Sequence, residues 1–161
     1  MTDLHYVGGN NPAGTYLIRC APVVGLLSLP TPATGGPLVV VGPPTFHPGY
    51  RWYQLYGTEG TKDYDEDQQN TDNGDIWSVS VQLFLPGDSA QERATLMEMV
   101  RHRFIVECQD NAGTWRRLGT KTENLKLTYK FGIDPQMGGR RGATLKFTGE
   151  LTQCPPIVSG V

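Results

Sequence analysis

"DIWSVSVQLFLPGDSAQERATLMEMVRHRFIVECQD" runs from Asp75 to Asp110 and decides the fold class. Its first twelve residues alternate. Ile76, Ser78, Ser80 and Gln82 fall on one side of an extended chain, and Trp77, Val79, Val81, Leu83 and Leu85 on the other. That period of two is a strand laid over a core. The period then changes. Ser89-x-x-Glu92 is a capping box, in which the hydroxyl bonds the Glu92 amide while the carboxylate reaches back. Glu92 in the first turn and Arg101, His102 and Arg103 in the last suit the helix dipole. The reading is a helix over about 88–103, with Ala90, Ala94, Met97, Val100 and Phe104 as its apolar stripe against a sheet. "FIVECQD" returns as a strand, "DNAGTW" (110–115) is a hairpin turn, and "TWRRLG" is the partner strand.

Outward from this stretch the chain stays β-rich. "LKLTYKF" (125–131) alternates, with Leu125, Leu127, Tyr129 and Phe131 inward, and "ATLKFTGELT" (143–152) is a last strand before a tail at 153–161. "GIDPQMGGRRG" between them reads as a long turn or loop. Upstream, "TYLIRCAPVV" (15–24) is a strand ending at Pro22, and "YRWYQLYG" (50–57) is a strand with one wet face. Prolines at 30, 32, 37, 43, 44 and 48 forbid a helix in 26–48. That segment reads as a long extended loop, with "PLVVVG" as a short edge strand. Residues 1–13 read as an arm with no core of its own. The fold class is therefore α+β, mostly β: an antiparallel β-sandwich or barrel-like sheet with one packed helix and long loops and arms. A single domain covers 14–152.

Composition narrows the function. With 20 glycines and 12 prolines among 161 residues, the chain is rich in turns and unsuited to a helical bundle. A net charge of −2 argues against nucleic-acid binding. No apolar run is long enough for a transmembrane helix, and the N-terminal residues lack the pattern of a secretory signal. Three widely spaced cysteines, Cys20, Cys108 and Cys154, read as reduced, mostly buried thiols.

Seven acidic residues lie between Glu59 and Asp75, in a stretch (58–74) that reads as a loop. Asp63, Asp65 and Asp67 have the opening spacing of a calcium loop, but Gln68 and Gly74 stand where its glycine and bidentate glutamate belong. The plain alternative is a solvated or interface loop. Catalysis finds no foothold. There is no G-x-S-x-G, and His5, His47 and His102 are scattered. Cys108, the thiol nearest a histidine in sequence, sits in an apolar strand where burial is the default. "GGRRG" (138–142) lacks the strand–loop–helix order of a phosphate site, so Arg140 and Arg141 read as a solvated or salt-bridging tip, able to meet the acidic loop of a neighbouring copy. "WRRLGTKTENLKLTYK" mixes basic and aromatic residues, which alternation assigns to the wet face of strands. No zinc spacing, dinucleotide fingerprint or cofactor site emerges. The reading is a non-enzymatic protein whose loops and arms make contacts.

The order of elements in "DIWSVSVQLFLPGDSAQERATLMEMVRHRFIVECQDNAGTWRRLG", with the later "ATLKFTGEL", resembles structural proteins of tailed-bacteriophage tails, most like the tail tube group. The resemblance covers roughly residues 75–152. It implies a β-sandwich with a flanking helix, assembling with copies of itself and with other virion tail proteins, within the host bacterial cytoplasm, into stacked hexameric rings. DNA passes through the resulting tube without specific binding. It also extends to a tail terminator, a head–tail connector or a distal tail adaptor. Under it, Asp63, Asp65, Glu66, Asp67, Asp72, Arg140 and Arg141 are the candidates for a subunit seam or a lumen, and residues 1–13, 26–48 and 58–74 for interfaces. Outside that class, Trp52, Tyr53 and Tyr56 suggest a small carbohydrate- or peptide-binding module.

Overall fold

The computed structural model describes residues 14–72, 74–136 and 138–159; the 1–13 arm lies outside the described residues. In chain order the elements are β1 (Thr15–Pro22), a 3-10 turn (Val23–Gly25), β2 (Leu26–Ser28), β3 (Val39–Val41), β4 (Thr45–Phe46), β5 (Tyr53–Leu55), β6 (Asp63–Thr71), β7 (Gly74–Pro86), α1 (Ala90–Met99), β8 (Arg103–Asp110), β9 (Trp115–Leu118), β10 (Leu125–Ile133), β11 (Arg141–Leu151) and β12 (Ile157–Ser159). The protein is α+β and mostly β, as its alternating runs require.

One hydrogen-bonded sheet branches at β8. One edge of β8 carries β1, which in turn carries β5. The other edge is shared: β9 pairs with Val106 to Gln109, and β10 with Arg103 and Phe104. The β9 branch continues through β12 to β3, the only parallel pair among the described strands. The β10 branch continues through β11 and β7 to β6. Side chains from both wings meet in one core: Ile18 and Cys20 from β1, Val106 and Cys108 from β8, Val81 and Leu83 from β7, Leu145 and Phe147 from β11. Phe104 and Phe147 meet edge to face at 5.5 Å, the arrangement their quadrupoles favour. The long hairpin β6–β7 keeps its register from Asp63↔Gln82 to Thr71↔Gly74.

The continuous apolar run "FIVEC" has a direct cause. Phe104, Val106 and Cys108 face the core between the wings, while Ile105 and Glu107 point to the opposite face and are just as buried. A strand covered on both sides must be apolar at nearly every position. The cover is the Pro-rich segment. It is tied down by the Pro30 carbonyl accepting from Arg117 Nη1 (3.0 Å), by His47 N–H on the Gly25 carbonyl (2.9 Å) and by Ile157 N–H on the Leu38 carbonyl (3.0 Å). Its own Leu26 and Val40 are buried. The segment lies on its own sheet and still exposes Leu27, Leu38 and Val41.

Several sequence expectations need correction. The helix is shorter than 88–103: it ends at Met99, Arg101 and His102 belong to the following turn, and Arg103 opens β8. Its capping box forms as read, with Ser89 Oγ accepting from Glu92 N–H (3.1 Å) and Glu92 Oε2 from Ser89 N–H (2.9 Å). Its stripe is different. Ala90, Ala94 and Met97 are exposed, and Leu96, Met99 and Val100 face the core. Leu96 and Met99, near the helix C-terminus, border one hollow with Leu55, Leu83 and Leu145. The acidic 58–74 is not simply a loop, because most of it is β6, whose backbone pairs along the whole of Ile76–Gln82. The aromatic run 50–57 is strand only at Tyr53–Leu55. The tail 153–161 contains β12, and 26–48 contains β2, β3 and β4. Tyr129, expected inward, is 37% exposed, while Leu127 and Phe131 on the same face are buried and half-buried.

Candidate functional site

The wing β10–β11–β7–β6 turns one face to the core and the other to solvent. Cross-strand register sets the exposed face in rows. Asp63, Gln82, Lys146 and Thr128 form one row; Asp65, Ser80, Thr148 and Lys126 the next; Asp67, Ser78 and Glu150 a third. Every member is polar, the mirror of the apolar alternation inward. The aspartates are all exposed. Gln69 Nε2 donates to Asp67 (3.1 Å) and Asn70 Nδ2 to Asp75 (3.0 Å), which ties the acidic end of the hairpin together. Asp72 sits, exposed, in the hairpin turn.

Among the described strands both lateral strands of this wing are open. β6 pairs with β7 alone among them. Beyond Lys126, β10 pairs with β11 alone among the described strands. The edges carry opposite charge on the same face: Asp63, Asp65 and Asp67 on β6, Lys130 on the open stretch of β10, and Lys126 at its border, where β8 still pairs. Within one subunit these groups are three strand spacings apart, about 14 Å at the usual separation. That exceeds the Debye length at physiological salt, so they do not pair internally.

Glu66 does not belong to this face. It alternates inward with Tyr64. The Tyr64 hydroxyl donates to its Oε2, and the Cys154 thiol to its Oε1 (3.1 Å). Burial, reinforced by the bond to Glu66, pushes the Tyr64 phenol well above its ordinary range. Arg141 is also already engaged. Asp88 accepts from Arg93 and, at 3.2 Å, from Arg141, and these bonds, Arg93's foremost, hold its carboxyl below the usual range. Arg140 stacks its guanidinium 5.8 Å from the Phe84 ring and borders a hollow shared with Lys62, Asp63 and Gln82. Of the two arginines, only Arg140 reaches the neighbourhood of the acidic strand.

The basic run around Trp115 is not a wet strand face. Arg117 is almost fully buried, and its Nε donates to Glu107 Oε1 (2.7 Å). Arg19 Nε donates to Glu107 Oε2 (2.7 Å). The Arg19 guanidinium lies over the Trp115 and Trp52 rings, at 4.3 and 5.0 Å. Register makes the triad, since Arg19↔Glu107 and Glu107↔Arg117 are direct cross-strand partners on the covered face of β8. Arg116, one residue away, turns the other way and pairs with Asp110 (2.7 Å). Burial opposes ionisation of Asp110, yet the Arg116 bond and the Thr114 and Ala112 amides together keep its pKa low. Sequence reasoning missed the triad. Its signal was a lone Glu inside an apolar run, with an arginine at the matching position in each neighbouring strand.

Trp52 is held on Arg19 and edge-on to Phe46. Tyr53 and Tyr56 are exposed. Cys108 is buried, and desolvation pushes its thiol up to about 12, the reverse of nucleophile activation. No group of metal-ligating side chains is present among the described residues, and no described helix is long and apolar enough to cross a membrane. Comparisons with protein-family models, with curated proteins and with solved structures return no match.

Proposed function

We propose that this protein is a structural, non-enzymatic subunit of a bacteriophage tail, assembling side by side into rings that stack into a tube for DNA. The observation that carries the reading is the exposed wing β10–β11–β7–β6, polar on its outer face, with two edges of opposite charge that are open among the described strands. An open strand edge is a template for another strand. When β6 of one copy abuts β10 of the next, the sheet continues across the seam, and the aspartates move from about 14 Å to about 5 Å from a row of lysines. A head-to-tail contact of this kind closes into a ring when the rotation between successive copies returns to its start. The continuous polar face then lines the inside. Its carboxylates, Asp63, Asp65, Asp67 and Glu150, stand beside Lys126, Lys130 and Lys146. With its lysines paired at seams, such a surface offers little free positive charge to phosphate.

The geometry favours a seam role for the acidic strand over a purely lumenal one, because its carboxylates sit on the edge strand itself. The partner it fits is β10 of a neighbour rather than Arg141, which Asp88 holds. A tail terminator, connector or distal adaptor would use the same edges to form a single ring. Negative-stain imaging of the purified protein across a concentration series tests the reading. Rings or hollow tubes support it, and a single ring that never stacks selects the terminator, connector or adaptor. Uniform monomers at every concentration, alone and with preformed phage tail tips as nucleator, overturn it.

A further inference from the structure

The Arg19–Glu107–Arg117 triad holds two guanidiniums and one carboxylate, with Arg117 buried and Arg19 21% exposed, so among the described residues one positive charge of this largely buried cluster has no anionic partner. Glu107 is fully committed: one oxygen takes Arg19 and the other Arg117. The Pro30 carbonyl takes one further Arg117 N–H, and Arg19 lies over the two tryptophan rings. Those are neutral partners, and a charge left in a low-dielectric site is costly without an opposite one. Beside the triad lies a cavity of about 210 Å³, bordered by Arg19, Trp52, Arg117, Pro43, Pro44 and Val158, with no carboxylate in its wall. Arg19 Nη1 and Arg117 Nη2 donate to no acceptor recorded among the described residues.

We propose that this cavity is a binding site for one carboxylate group. The chemistry is specific. A single uncompensated charge calls for a monoanion. Two guanidiniums bordering one small space offer the N–H donors that match the two oxygens of a carboxylate. The proline and Trp52 walls take a short apolar remainder. A carboxylate there closes the alternation of charge across β1, β8 and β9 and fixes the Gly42–Pro44 turn over it. The same group can come from a free small acid or from an Asp or Glu side chain of a neighbouring copy. This inference stands independently of the tail reading.

The test is a titration of the purified chain with acetate, followed by tryptophan fluorescence and by melting temperature, against sodium chloride at equal ionic strength and against inorganic phosphate. Acetate is expected to saturate both signals, with phosphate at least tenfold weaker. Arg19→Gln is expected to weaken acetate binding at least tenfold. Because that change touches a buried pair, Pro43→Glu on the exposed rim serves as a second variant. It supplies a tethered carboxylate, so added acetate should lose its effect while the protein stays folded. Acetate that behaves like chloride overturns the site, as does saturation unchanged in both variants; phosphate binding tighter than acetate overturns the carboxylate assignment. If Arg19→Gln loses acetate binding and also self-association, the natural carboxylate is a neighbour's; if it loses acetate binding alone, the ligand is free.

Discussion

Glu107 and Arg117 face each other across the β8–β9 ladder at 2.7 Å, with side chains 0% and 3% exposed. Arg19 meets the same carboxylate from β1 at 2.6 Å. Such a cluster adds less net stability than its geometry suggests, because three ions were desolvated to make it. Breaking it is another matter. Glu107→Gln leaves two arginines buried against a neutral amide and is expected to destabilise the fold by about 3–5 kcal/mol. Replacing all three members by apolar residues of similar volume is expected to cost far less. Urea denaturation of the two variants checks this; equal losses would mean that the ions contribute through packing alone.

The seam predicts a charge-swap pattern. Asp65→Lys with Asp67→Lys is expected to abolish self-association while changing the stability of the isolated subunit by no more than about 0.5 kcal/mol, as usual for exposed positions. Lys126→Glu with Lys130→Glu should behave the same way. Combining all four changes in one chain restores opposite charges at every seam, so assembly should return. Sedimentation velocity reads all three. Recovery in the fourfold variant cannot come from a lumenal role, which would depend on the sign of charge and not on its partner.

The helix cap is a smaller, cleaner case. Ser89→Ala removes the acceptor for Glu92 N–H and half of a reciprocal pair. A loss of about 1 kcal/mol is expected, by chemical denaturation, with no effect on assembly. A loss below the error of the measurement would show that Asp88, bonded to Arg93, caps the turn unaided.

How much was legible in the sequence varied with what each residue type reports. Trp77 to Leu85 alternates because one face of β7 is core and the other is wet, so that strand could be read directly. Ser89 and Glu92 were legible because capping is local. The helix stripe was not, since Leu96 and Met99 are selected by how the helix meets the core and not by its own period. Asp63 to Thr71 looked like a loop because its residues have low strand propensity; its pairing comes from the strength of its partner β7. The buried arginines were misread for the same kind of reason. Alternation says which residues share a face but not whether the chain later returns to cover it, and the cover here comes from the Pro-rich segment, roughly seventy to ninety residues earlier in the chain.

Gly142 stands opposite Pro86 in the β11–β7 ladder, where an added Cβ would lie 2.2 Å from the Leu85 carbonyl oxygen and 2.8 Å from the Phe84 ring. The obstacle is backbone, so a rotamer change cannot relieve it. Gly142→Ala is expected to destabilise by at least about 1–3 kcal/mol, the usual range for overpacking, and to loosen the end of β11 that carries Arg141. Hydrogen exchange should then quicken at Ala143 and Thr144 before it does at Thr148. Unchanged exchange would mean the two strands slide apart without cost.

The thiols predict an alkaline limb. Burial pushes Cys20 and Cys108 up to about 12, and burial together with the Glu66 bond pushes Cys154 up to about 11. In the unfolded chain these groups lose their protons in the ordinary thiol range near 9. Between that value and the folded values the native state binds more protons than the unfolded one, so stability falls as pH rises across the window. Tyr64, also raised, acts in the same direction. The urea midpoint should therefore be lower at about pH 10 than at about pH 8, and Cys20→Ala with Cys108→Ala should flatten the difference even though the cavities lower both midpoints. In native protein at about pH 8, Cys20 and Cys108 should react with a disulfide reagent only as fast as the fold opens, because the thiolate is the attacking species. Rapid modification of either without loss of structure would place that thiol outside the core.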